Sequence, residues 1–185
     1  MSTKIEQVNL ERQIHGMNRT YNGFELPPYQ KPAYAYTSVQ IDNGVAYVSG
    51  SVPKTGDVDL HPGKLGADVT LEQAQEAARL ALMNSLASLD AAIGTLDAVR
   101  KVLKMTVFVA SAPGFNLQPK VADAASELLR KVFGERGAHA RSAVGVAELP
   151  RNSCVEIELT VAVAQKHFVE VDGRDAECGV RVSRF

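Results

Sequence analysis

The sequence predicts an α+β domain in which two helices pack on one face of a single β-sheet. Strand-length apolar segments and two longer segments with apolar residues at helical spacing follow one another in the order β-β-α-β-α-β-β. A chain of 185 residues that is 45% hydrophobic suits one folded domain.

The composition divides the chain into three parts. Residues 1–32 are polar and contain Gly16, Gly23 and two adjacent prolines, so we expect an irregular N-terminal extension. Residues 33–164 carry the predicted strands and helices and form the domain. Residues 165–185 form a C-terminal extension that is either a poorly ordered tail or, through Phe168 to Val171, an added edge strand.

The first two strands form a predicted β-hairpin. Asp42, Asn43 and Gly44 separate two short β-branched runs, and an Asn-Gly pair supplies the positive φ angles of a tight turn. Residues 53–66 are rich in Pro and Gly, so we expect an exposed loop there.

Both helices have recognisable ends. Thr70 and Gln73 match a capping box, and Gly94 suits the left-handed residue that ends a helix. For the second helix, Asn116 is the predicted N-cap and Gly134 the stop.

The later strands differ in pattern. The run from Val102 to Val109 is too continuous for a surface strand, so we expect helices on one face and protein over much of the other. From Val155 to Val163 apolar residues alternate with others, including Glu156 and Glu158, so this strand has two unlike faces.

Charge and composition exclude several function classes. Twenty basic and 21 acidic residues give a formal net charge of −1, and the chain has no tryptophan and no basic run, which disfavours nucleic-acid binding and RNA cleavage. The two cysteines and four histidines lack ligand spacing, so no metal site is predicted. No segment has the length and apolarity of a membrane span or a signal peptide, so we expect a cytoplasmic protein that binds no membrane.

Arg141 and Glu156 are the residues with the clearest chemical potential. A guanidinium binds a carboxylate through two parallel N–H donors, so Arg141 at the start of a strand indicates a small carboxylate-bearing ligand. Arg141 could equally be a polar residue at a strand end or part of a structural ion pair, and Glu156 could belong to a polar strand face.

Several blocks of the chain resemble one family. Tyr47 to Gly50, Lys104 to Val109, Ala140 to Ser142, Leu149-Pro150 and Val155 to Glu158 match, in order and spacing, the reactive-intermediate deaminases, also called YjgF-like or L-PSP endoribonuclease proteins. The resemblance covers residues 34–164. It implies a chorismate-mutase-like fold and a homotrimer whose sheets meet at the centre, with ligand clefts between subunits.

The resemblance also implies an activity. Arg141 would grip the carboxylate of a 2-imino or 2-enamino acid, and Glu156 would hold the water that hydrolyses the C=N bond to a 2-keto acid and ammonia. Neither metal nor organic cofactor is needed. Burial would raise the pKa of Glu156 and a nearby guanidinium would lower it, and the sequence does not decide between the two.

Further cleft residues follow from the same resemblance. Ser49 and Gly50 would wall the cleft, although Gly50 could instead serve a bulge. Phe115 matches the aromatic that lines the cleft, or else belongs to the core. Tyr34 and Tyr36 fall near the N-terminal tyrosine of the family, and the register leaves open which of them, if any, reaches the cleft.

Three positions depart from the family pattern. Ala143 replaces a frequent cysteine, leaving only its backbone to contribute, and Ser51 replaces a glutamine. Asp123 stands, after a one-residue gap, where an asparagine is common, and a carboxylate there would repel an anionic ligand. His139 either tunes the site near neutral pH or simply ends a loop.

These departures keep two alternatives to small imino-acid deamination open. One is a non-catalytic trimer that binds a carboxylate metabolite or a partner protein. The other is deamination of an aminomuconate-type ring-cleavage product.

Overall fold

A computed structural model describes residues 19–164 as two helices on one face of a five-stranded sheet. The elements are β1 (Arg19–Tyr21), β2 (Phe24–Leu26), β3 (Val39–Asp42), β4 (Val45–Ser51), β5 (Lys54–Thr55), β6 (Val58–Asp59), α1 (Leu71–Ile93), β7 (Val99–Ala110), α2 (Gln118–Phe133), β8 (Ala140–Val146) and β9 (Val155–Val163). The strand order in the five-stranded sheet is β3-β4-β9-β7-β8. The predicted α+β class and the β-β-α-β-α-β-β order of the main domain are confirmed.

The local signals at the first hairpin and the first helix are confirmed. Asn43 and Gly44 have φ angles of 48° and 75° between the antiparallel strands β3 and β4. Thr70 and Gln73 form the predicted capping box at the start of α1, and Gly94 ends the helix with φ 86°. These features involve residues close in sequence, so local chemistry is enough to determine them.

The N-terminal part of the chain is less irregular than predicted. Residues 19–26 form the β1–β2 hairpin, where Asn22 and Gly23 adopt positive φ. The Tyr21 ring lies 5.6 Å from that of Phe133, and Arg136 donates a hydrogen bond of 3.0 Å to the Tyr21 hydroxyl. Contacts with distant residues thus stabilise strands too short to be predicted. Residues 1–18 and the C-terminal extension 165–185, including its possible edge strand, lie outside the described residues.

The start of α2 corrects a second expectation. Leu117 occupies the cap position without a side-chain hydrogen bond, and the helix begins at Gln118, so Asn116 is not its N-cap. Pro119 in the first turn has a fixed φ suited to a helix and no N–H that needs a partner. A proline signal therefore outweighs the asparagine signal here.

The predicted loop at residues 53–66 contains a short hairpin, β5–β6. Arg151 holds it through two nitrogens that donate to the Asp59 carboxylate at 2.7 to 3.0 Å, and it also donates to the Asp57 carbonyl at 2.8 Å. A long-range ion pair therefore orders a segment that local composition marks as loop.

The two faces of the central strand β7 differ. Met105, Val107 and Val109 are fully buried beneath the helices, in a core shared with β4 and β9. Bulges follow Val99 and Val102, and the opposite face carries polar and partly exposed side chains. Within residues 19–164, nothing provides the predicted cover over this second face, which we call the open face. No helix in the same range is long and apolar enough to cross a membrane.

Candidate functional site

The pairing of the strands places Arg141 and Glu156 on opposite faces of the sheet. Arg141 is paired with Met105, which faces the helices, whereas Glu156 is paired with Phe108, three residues further along β7. Side chains alternate along a strand, so these two partners of β7 point to opposite faces. Strand β7 also separates the two residues by two strand spacings, about 10 Å. One chain therefore does not bring the guanidinium and this carboxylate onto the same ligand.

Glu156 lies against the main chain of Gly50. The register between β4 and β9 shifts between Val48 and Ser51, which makes Ser49 and Gly50 a bulge beside Glu156. A methyl group at Gly50 would overlap the Glu156 carboxylate. Glycine here allows this close approach, and its backbone φ lies outside the left-handed range. Gly50 therefore belongs to a bulge and also lies against the Glu156 carboxylate.

The Glu156 carboxylate titrates above its ordinary range. Burial raises its pKa above the usual 4.5, and the negative charge of Glu158 raises it further. Among residues 19–164, Glu156 accepts no hydrogen bond and forms no ion pair. Within one chain, burial therefore determines the direction in which the pKa of Glu156 shifts, because Arg141 lies on the other face of the sheet.

A concave region of about 640 Å³ on the open face adjoins the Ser49 bulge. Its lining includes Tyr36, Ser49, Lys104 and Glu158, while Tyr34 is 80% exposed and does not contribute to it. The Ser49 hydroxyl donates to the Thr37 carbonyl at 2.8 Å. Of the two candidate tyrosines, Tyr36 is therefore the one beside the Ser49 bulge.

Arg141 sits at the centre of a hydrogen-bond network between β8 and α2. Its Nη1 donates to Asp123 Oδ1 at 2.9 Å and to Ser126 Oγ at 2.9 Å. The side chains of Arg141 and Asp123 remain 25% and 43% exposed. Because β8 is the last strand of the sheet, this network lies at the edge of the subunit.

His139 extends the same network. Its Nδ1 lies 2.7 Å from the Gly137 carbonyl and therefore donates to it, so Nε2 accepts from Ser126 Oγ at 3.2 Å in the neutral ring. Burial lowers the pKa of His139 and the nearby Arg141 and Arg130 charges lower it too, although the bond to Gly137 acts the other way. His139 is thus a half-buried, neutral partner of Ser126.

Ser126 was not predicted as a site residue. Its signal is its spacing, because residues three apart on a helix share a face and Asp123 lies three residues before it. Both side chains on α2 reach Arg141.

Phe115 and Ala143 belong to the packing around this edge. Both are partly buried against the hydrophobic core, and Phe115 lies against the left-handed Gly66, where an added Cβ would be 3.2 Å from the Phe115 Cβ. Of the predicted site residues, the structure thus groups Glu156 with Gly50 and Ser49, and Arg141 with Asp123. Within residues 19–164, no three His, Cys, Asp or Glu side chains are grouped so as to hold a metal ion.

Comparison with known proteins identifies the family. The family model described as endoribonuclease L-PSP matches residues 28–163. The chain belongs to this family. Within the L-PSP family it is 42% identical over 140 residues to Protein TCP17 from Trypanosoma cruzi, an alignment that covers 75% of this chain and 88% of that protein.

Solved structures of L-PSP relatives agree with the fold. A protein of unknown function from Agrobacterium tumefaciens is 41% identical, with a TM-score of 0.70, and the match covers 74% of this chain and 88% of that one. A candidate endoribonuclease from Shewanella oneidensis is 30% identical with a TM-score of 0.73, covering 76% and 93%. The family resemblance drawn from the sequence blocks is therefore confirmed.

Proposed function

We propose that this protein is a homotrimeric, cofactor-independent deaminase that hydrolyses small 2-imino or 2-enamino acids to 2-keto acids and ammonia. The observation that carries the proposal is the division of the site into two halves within each chain. The half with Glu156 and Gly50 lies on the open face, and the half with Arg141 lies at the β8 edge. If the β8 edge of one copy packs against the open face of a second copy, the two halves together would form a cleft.

The first half suits the handling of water. A carboxylate with a raised pKa is a stronger base than an ordinary glutamate, and its lack of partners within residues 19–164 leaves its oxygens available to a water molecule. Glu156 would accept a proton from this water as the oxygen attacks C2 of the imine. The proton would then pass to the nitrogen, and the tetrahedral adduct would release ammonia and the keto acid.

The second half suits the binding of the substrate carboxylate. Asp123 and Ser126 hold one end of the Arg141 guanidinium, which leaves Nε and Nη2 without a partner among residues 19–164. These two nitrogens match the spacing of two carboxylate oxygens. Fixing the water and the substrate relative to each other can lower the barrier by up to about 7 kcal/mol.

Subunit complementation tests the proposal. Arg141→Ala and Glu156→Gln are each expected to lower the rate of keto-acid release from a freshly generated imino acid by about 100-fold or more. When the two variants are unfolded together and refolded as mixed trimers, random assembly gives about one quarter of the clefts both native residues. We therefore expect the mixture to recover about one quarter of the parent rate of keto-acid release. Light scattering on the same mixture establishes whether it is trimeric.

The controls separate the possible failures. Each variant refolded alone should keep its lowered rate, and the refolded parent protein should regain its full rate. Absence of recovery in the mixture would contradict a cleft shared between subunits. A parent protein that does not accelerate keto-acid release over buffer would contradict the deaminase itself.

The departures from the family pattern at Ala143, Ser51 and Asp123 favour a second candidate, a trimer that binds a carboxylate metabolite without converting it. This candidate predicts pyruvate binding that is lost in Arg141→Ala, together with no turnover of imino acids by the parent protein. Binding and rate measurements on the same preparation distinguish the two functions.

A further inference from the structure

The ion pair between Arg141 and Asp123 bears on the charge of the ligand that the site would bind. If Arg141 anchored a simple anion, a neighbouring carboxylate would oppose binding, because like charges at short range repel. Yet Asp123 Oδ1 lies 2.9 Å from Arg141 Nη1, and both side chains are partly exposed at the subunit edge. The chain therefore presents a positive and a negative group side by side where the proposed ligand would bind.

The remaining hydrogen-bond capacity of the pair is specific. Both hydrogens of Arg141 Nη1 are directed to Asp123 and Ser126, whereas Nε and Nη2 have no partner within residues 19–164. In the same range Asp123 Oδ2 has no partner either. A ligand can thus bind both groups without breaking the ion pair between them, provided that it offers a carboxylate to Arg141 and a cationic N–H donor to Asp123.

We infer that Asp123 makes the site selective for zwitterions, that is, for ligands with a cationic nitrogen next to the carboxylate. The inference rests on the proposed function in taking Arg141 as the carboxylate anchor. A protonated 2-imino acid is such a zwitterion, since its iminium nitrogen is one carbon away from the carboxylate. The 2-keto acid product has only the negative charge.

This selectivity has a consequence for the reaction. Contact with Asp123 stabilises the protonated form of the imine, in which C2 is most open to attack by water. When hydrolysis replaces the nitrogen with oxygen, the ligand loses the group that Asp123 binds, and the remaining anion is repelled. Asp123 would thereby favour the substrate over the product.

Binding of two stable probes tests the inference without turnover. Racemic alanine is a zwitterion and pyruvate is an anion of the same carbon skeleton, and ligand-observed NMR titration measures weak binding of both. In the parent protein we expect alanine to bind more tightly than pyruvate. In Asp123→Asn we expect the affinity ratio to shift towards pyruvate by about tenfold.

Glu127→Gln is the matched control, because it removes one negative charge from an exposed position of the same helix, one turn further on. It should leave the ratio unchanged. An unchanged ratio in Asp123→Asn, with binding of both probes lost in Arg141→Ala, would overturn this inference alone. Failure of both probes to bind the parent protein would overturn the carboxylate anchor and, with it, the proposed function.

Discussion

The two halves of the site hold their charged groups in opposite ways. Glu156 is partly buried beside Glu158 without a partner in the described part of the chain, and its pKa is raised. Arg141 is engaged by Asp123 and Ser126, which fix its position and offset its charge. The Glu156 carboxylate is therefore a stronger base than an ordinary glutamate, whereas the Arg141 guanidinium is held in position by its partners. The proposed hydrolysis would need both a proton acceptor and a fixed anchor for the substrate.

Removing the proposed proton acceptor should have the greatest consequence. Glu156→Gln is expected to lower kcat by about 100-fold or more, since general bases typically contribute that much. Because the carboxylate must be deprotonated to accept a proton, the parent activity should fall as the pH drops through a midpoint above 4.5. Steady-state rates across pH measure this limb, which should be absent from the residual activity of the variant.

Glu158→Gln is the matched control for this measurement. It removes the neighbouring charge that raises the pKa of Glu156, so it should lower the midpoint while keeping most of the activity. A midpoint that does not move, or an equal loss of rate in both variants, would argue against a specific proton transfer by Glu156.

Gly50, which lies against the Glu156 carboxylate, should be the next most sensitive position. Gly50→Ala would displace the Glu156 carboxylate, and because this carboxylate is the end of a flexible side chain we expect a cost of about 0.5–1.5 kcal/mol of unfolding free energy. In a Glu156→Ala background the clash is gone, so the same substitution should cost little. Urea unfolding of the four proteins measures this coupling. Equal losses in both backgrounds would show that the glycine is needed for the bulge and not for the carboxylate.

A smaller effect is expected on the Arg141 side. Ser126→Ala removes a hydrogen bond to Arg141 and should raise KM severalfold, consistent with about 1 kcal/mol, with little change in kcat. Ser142→Ala is the control, because Ser142 neighbours Arg141 in sequence but its side chain points to the open face. A fall in kcat with unchanged KM would contradict an anchoring role for this network.

The smallest effect concerns His139. Its pKa is lowered in the folded protein, so the unfolded chain binds the proton more readily as the pH falls below 6.5. Stability should therefore decline between pH 7 and pH 5 more steeply in the parent than in His139→Gln. Thermal unfolding across this range measures the difference. Parallel curves for the two proteins would show that His139 titrates as it does in the unfolded chain.

Much of the fold could be predicted from local signals. The Asn43-Gly44 turn, the capping box at Thr70 and the left-handed Gly94 are each determined by residues a few positions apart. Where long-range contacts decide the structure, prediction failed. The β1–β2 hairpin depends on Phe133 and Arg136, more than a hundred residues away. The structure of residues 54–59 likewise depends on the ion pair of Asp59 with the distant Arg151.

The same distinction between local and long-range determinants applies to the site. Residue types and their spacing within single elements were enough to predict the family, both helices and the five strands of the main sheet. Strand pairing and helix packing place Arg141 and Glu156 on opposite faces and bring Asp123 and Ser126 to the guanidinium, and neither arrangement could be predicted from the sequence. The physical reason is register: the face that a side chain occupies relative to another strand depends on how the strands pair, and a shift of one residue reverses it.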